Sequence, residues 1–102
     1  MALTNIATLL TDVERTLKKI RFPGGIELLS YKRNRGIAIL KQEDMTLELR
    51  EFGYKEQRFI IPGNRLTKEL KTMIKREFPR SRKVRLVKLA DPKDLERVRQ
   101  KI

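Results

Sequence analysis

The sequence predicts an α+β domain: an antiparallel sheet of four to five strands with helices packed on one face, in the order α-β-β-β-β-α-β-α. Apolar residues at Ile6, Leu9, Leu10, Val13, Leu17 and Ile20 recur with helical spacing near the start of the chain. Leu47 and Leu49 follow Met45 in strict alternation with Thr46, Glu48 and Arg50, the pattern of a strand with one buried face. Glycine and proline punctuate the chain at intervals too short for separate domains, and 102 residues suit one domain, 1–102.

Each element has a local reason. The first helix is expected from about Thr4 to Ile20. Thr4 or Asn5 is placed to cap it, and Thr11-x-x-Glu14 offers a later start. Pro23-Gly24-Gly25 ends it, and the cations Lys18, Lys19 and Arg21 suit the negative end of its dipole. Strands are expected at Ile26–Lys32 and Ile37–Lys41, joined by the turn Arg33-Asn34-Arg35-Gly36, where Asn34 and Gly36 tolerate positive φ. After the Met45–Arg50 strand comes a fourth at Gln57–Ile61, stopped by Pro62-Gly63. Asn64 is placed to cap a second helix, Arg65 to about Glu77, with Leu66, Leu70, Met73 and Ile74 inside. A fifth strand follows Pro79 at Lys83–Leu89, expected at an edge of the sheet. Asp91-Pro92 opens a last helix with Leu95, Val98 and Ile102 on its stripe. In this arrangement one face of the sheet is buried and the other is wet.

Composition narrows the chemistry. The chain has no cysteine and no histidine. Thiolate catalysis, disulfides and the usual zinc ligand sets are excluded, and with them the commonest general base. No Walker loop, dinucleotide fingerprint or metal constellation is present, so no cofactor is expected. Glu43-Asp44 reads as turn capping, and Glu27, Glu48 and Glu51 as partners of cross-strand Lys and Arg. Met1–Leu10 lacks the basic start of a signal peptide, and no apolar run has the length of a transmembrane segment, so a cytoplasmic protein is expected. Abundant Lys, Arg and Glu with no Cys give a thermophile-like composition.

The net charge is +12, and it is concentrated. Residues 64–90 carry ten basic and two acidic side chains, net +8; the remaining segments, 1–23, 24–63 and 91–102, carry +2, +1 and +1. Lys68, Lys71 and Lys75 form one row on the second helix, with Arg76 also off its apolar stripe. Arg80, Arg82 and Lys83 crowd the following loop, and Arg85 shares a strand face with Lys83. A second cluster, Tyr31-Lys32-Arg33-Asn34-Arg35, puts an aromatic and three cations on a hairpin tip.

Such a segment fits a phosphate backbone, which relieves the mutual repulsion and releases counterions. The expected function is a small basic nucleic-acid-binding domain, non-enzymatic, using the second helix, the 80–83 loop and the following strand, with Tyr31, Lys32, Arg33 and Arg35 added if folding brings the hairpin alongside. DNA and RNA fit equally. One alternative is a protein–protein interaction or self-assembly module, docking on an acidic protein or forming a homodimer. Its motive is the first helix, whose stripe with Leu3, Leu9, Leu10 and Leu17 exceeds what a small sheet covers. A second is a histidine-free ribonuclease acting through Tyr31, Tyr54 and the arginines of 80–85; the small toxins of that kind begin with a strand, unlike the helix expected here.

In topology alone, the opening helix, the strands and the later helix are similar to the double-stranded-RNA-binding domain. Asn64-Arg65-Leu66-Thr67-Lys68-Glu69 has one lysine where that family is rich in lysine and small residues, and the fifth strand and last helix are additional. No family is assigned on that basis.

Overall fold

A computed structural model describes residues 2–91 and 93. The strands are β1 (Ala2–Asn5), β2 (Gly25–Leu29), β3 (Gly36–Lys41), β4 (Thr46–Phe52), β5 (Gln57–Pro62) and β6 (Lys83–Leu89). The helices are α1 (Leu9–Lys19) and α2 (Leu66–Glu77), each entered through a short 3-10 turn. All pairings are antiparallel, and the strands lie in the order β1-β6-β2-β3-β4-β5. The α+β class is as expected, with six strands.

Leu9, Val13 and Leu17 of α1 and Leu66, Leu70 and Met73 of α2 are buried in one cluster with Ile26, Leu28, Ile37, Ile39, Leu49, Val84 and Leu86 from the sheet. Alternation along each strand sends these sheet residues to one face, so both helices cover that face. The two helices also touch, the Thr67 hydroxyl donating to Glu14 at 2.6 Å. Thus the α1 stripe is covered within the domain: Leu10 is half-buried against the core, and Leu3 stands on β1, not on the helix. Of the apolar residues that motivated self-assembly, Leu9, Leu10 and Leu17 pack within the domain, and Leu3 stays exposed on β1.

The chain opens with a strand. β1 pairs with β6, Thr4 opposite Val84 and Asn5 opposite Lys83, and only then does the 3-10 turn lead into α1. The apolar residues from Ile6 onward hide this, because Leu3 continues their helical spacing; a free edge on β6 overrides it. Asn5 does cap, but it accepts from the Ala7 N–H at 2.8 Å and so starts the 3-10 turn. Asn64 lies inside the 3-10 turn before α2 and makes no cap. β6 matches its expected span, yet β1 flanks it, so it is no edge strand. The opening strand also separates this topology from the double-stranded-RNA-binding domain, and it removes the element-order argument against the ribonuclease reading.

The sheet is not wet on its other face throughout. Every residue of β2 is buried, and Leu29, Ala38, Leu40 and Leu89 are buried on the face away from the helices. Glu27 is fully buried on that same face. Glu48 also lies there, with Arg50 and Arg58, whereas Glu51 points to the helix side; the three carboxylates do not share a surface. Met45 precedes β4, in a left-handed turn position (φ 66°), and is exposed. Asp44 holds that turn by accepting from the Thr46 N–H at 3.2 Å. The last expected helix falls outside the described residues. Among the described residues no helix is long and apolar enough to cross a membrane.

Candidate nucleic-acid interface

Antiparallel pairing puts a defined set of turns at one end of the sheet. Arg85, Leu29, Gly36 and Phe52 lie side by side across β6, β2, β3 and β4. Beyond that line project the β2–β3 turn (30–35), the β4–β5 turn (53–56) and the α2–β6 loop (78–82). These segments, with Lys83 and Arg85, carry Lys32, Arg33, Arg35, Lys55, Arg80, Arg82, Lys83 and Arg85. The acidic residues in or bordering them are Glu56 and Glu77, and Glu77 is buried. The opposite end also carries cations, Lys18, Lys19, Arg21, Lys41, Arg65 and Lys88, with Glu43 and Asp44 among them. The excess of cations over exposed carboxylates is therefore larger at the first end.

The β2–β3 turn is locally rigid. The Arg33 N–H donates to the Ser30 carbonyl at 2.9 Å, and the Ser30 N–H to the Arg35 carbonyl at 3.0 Å. The Ser30 hydroxyl donates to Asn34 Oδ1 at 3.1 Å and accepts the Arg35 N–H at 3.3 Å. The left-handed residue is Arg33 (φ 63°), not Asn34. Gly36 begins β3 and is needed for space, not for φ: a Cβ there would lie 2.4 Å from the Phe52 ring.

Two contacts bring this turn to the other basic segment. The Arg85 guanidinium carbon sits 4.9 Å from the centre of the Tyr31 ring, a cation–π distance, and its Nε donates to the Tyr31 carbonyl at 3.3 Å. Ser30 and Arg35 also share one surface cleft, of about 320 Å³, with Glu77, Pro79, Arg80 and Ser81. The hairpin tip and the 80–83 loop, separated by some fifty residues in sequence, thus form one surface.

Glu77 adds the third segment. Its carboxylate accepts the backbone N–H groups of Tyr54 (2.9 Å) and Lys55 (3.0 Å), fastening the β4–β5 turn to the end of α2. Gly53 (φ 118°) packs its Cα side against Arg35 and Glu77. Burial and the neighbouring Glu51 raise the Glu77 pKa against the pull of those two N–H groups. Burial also acts to raise Glu51, but the hydrogen-bonded Arg76 guanidinium and Gln57 amide outweigh it and hold Glu51 at about 2.

Arg76 was expected to face solvent with the cations. It turns inward: Nε and Nη2 each lie 2.6 Å from a Glu51 oxygen. The partner is on β4, 25 residues away, so helical spacing could not reveal it. Lys68, Lys71 and Lys75 are exposed as expected, and their row climbs α2 toward the basic end, Lys75 being nearest. Lys32, Arg80, Arg82 and Lys83 are exposed, and Arg35 is half-buried in the cleft. Tyr54 was expected only under the ribonuclease alternative and Lys55 not at all, although Gly53-Tyr54-Lys55 repeats the aromatic-plus-cation turn of Tyr31-Lys32.

No protein-family model, curated protein or solved structure matches this chain.

Proposed function

We propose that this domain is a non-enzymatic nucleic-acid-binding module of the cytosol and that its more strongly basic end contacts the phosphate backbone. The observation that carries this reading is the joining of two basic segments through Arg85 and Tyr31 into one surface around the Ser30–Ser81 cleft. Arg80, Arg82, Lys83, Lys32, Arg33 and Arg35 supply backbone contacts there, and Lys75 and Lys71 extend them along α2. Arg76 has no part in it, because its charge is committed to Glu51.

Two features favour a polyanion over an acidic protein patch or a mixed ion-pair surface. The basic turns are nearly free of interleaved carboxylates, and the one buried among them, Glu77, spends its oxygens on backbone N–H groups. The end also carries arginines, whose planar donor fork suits phosphate oxygens.

The test is a titration of labelled nucleic acid at several salt concentrations. Log K should fall linearly with log salt. A salt-independent affinity overturns the proposal. The same RNA, recovered intact after prolonged incubation with and without ribosomes, supports a non-enzymatic role; its cleavage would favour the ribonuclease reading.

A further inference from the structure

We infer that the basic end selects single-stranded nucleic acid, with unpaired bases stacking on Tyr31 and Tyr54; this rests on the phosphate-binding reading above. The protein has two tyrosines and no tryptophan. Both tyrosines stand on turns at the basic end, 72% and 71% exposed. A ring in so wet a position contributes little to the core, whereas an exposed π-face is what an unpaired base stacks on.

The geometry prepares both rings. Arg85 covers one face of Tyr31 at 4.9 Å, so the remaining exposure belongs to the other face and the edge. A base landing there would complete a sandwich of guanidinium, phenol and base, each layer attracted to the next. Tyr54 is held at its backbone by Glu77, so its turn does not have to be ordered on binding. The two turns are joined through Arg35 and Gly53. Their midlines are two strand spacings apart, about 10 Å. Bases in a regular duplex rise about 3.4 Å per step and are stacked on one another, so a duplex offers neither the spacing nor the free faces. A splayed single strand offers both, with its phosphates along Arg35, Arg80 and Arg82.

The experiment compares labelled single strands of oligo(U) and oligo(dT) with a blunt duplex of equal length, by fluorescence anisotropy at two salt concentrations. The full chain and the variants Tyr31→Leu, Tyr54→Leu, Tyr31→Phe and Tyr54→Phe are each titrated. Both rings are exposed, and a thermal melt verifies that each variant folds. We expect the single strand to bind more tightly than the duplex. Each leucine variant should lose about tenfold for the single strand, the range of one base–aromatic stack, and lose less for the duplex. The phenylalanine variants, which keep the π-face, should bind as the parent does. The tighter of the two homopolymers identifies the sugar. Equal affinity for duplex and single strand, or leucine variants that bind single strands normally, overturns the inference while leaving the phosphate reading standing. Absence of salt-dependent binding to any of the three overturns both.

Discussion

Arg76 on α2 and Glu51 on β4 form a two-pronged ion pair, 2.6 Å at each contact, between a helix and the sheet beneath it. The Glu51 side chain is fully shielded from solvent, and the Arg76 side chain is partly buried, at 22% exposure. The Glu51–Arg76 bond raises the arginine further above its usual range. Gln57 closes the arrangement by donating to Glu51 at 2.7 Å.

Removing the cation alone should therefore be costly. Arg76→Ala leaves a buried carboxylate beside a second one, and the expected loss is about 3 kcal/mol. Arg76→Met combined with Glu51→Leu should cost much less, because no charge is left stranded. Urea denaturation of the two variants tests this; equal losses would count against a tight buried pair.

Acid should act on the two neighbouring carboxylates in opposite senses. Glu77 has a raised pKa in the folded state, so as pH falls from above that value toward the ordinary 4.5 it takes up a proton more readily folded than unfolded, and this group adds stability. Glu51 is held at about 2, so its contribution is present above 4.5 and is lost as pH falls from there through 2. Thermal melts from pH 7 to pH 2 should show Glu77→Gln without the parent's gain on the upper part of this range. Glu51→Gln should lack the parent's loss on the lower part.

The cations should contribute by position. Arg80, Arg82 and Lys83 replaced together by Ala should reduce the magnitude of the salt slope by about 2, roughly 0.7 per lost single-strand phosphate contact. Along α2 the effect of Ala should decline from Lys75 to Lys68, which lies about 10 Å further from the basic end at 1.5 Å per residue. Equal effects along the row would place the ligand on the helix face and not at the end of the sheet.

Gly36→Ala should destabilise the domain by about 1–3 kcal/mol, the usual range for overpacking. The added methyl meets the Phe52 ring at 2.4 Å and the Leu28 carbonyl at 2.9 Å. Phe52→Leu should recover part of that loss, giving a favourable coupling in a double-mutant cycle by denaturation. Independent, additive losses would show that the ring is not the obstacle.

Much of this architecture was legible because it is local. Lys83–Leu89 is an apolar-rich run between turn signals, alternating over Lys83–Leu86, and Leu66, Leu70 and Met73 fix the inner side of α2. What stayed hidden depends on pairing between distant segments. Nothing in Ala2–Asn5 distinguishes a strand from the start of a helix until β6 lies beside it. Arg76 stands about 100° from Lys75, at the border of the apolar stripe, and only the place of Glu51 on β4 shows that it turns inward. The candidate site was half visible: the sequence shows two basic clusters, and only the register of β2 with β6 joins them. Tyr54 was left out of the nucleic-acid-binding set because its turn carries a single cation.

Among the described residues β1 pairs with β6 alone, and β6 sits between β1 and β2. The segment 83–89 is thus a keystone, and the sheet cannot close until the far end of the chain returns to a place between two earlier strands. Contacts of such long sequence separation slow folding relative to a simple meander. They also tie competence to completion. Arg85 reaches Tyr31 only when β6 is seated, so a chain without β6 in place would present its cations as scattered charges and lack the shaped end.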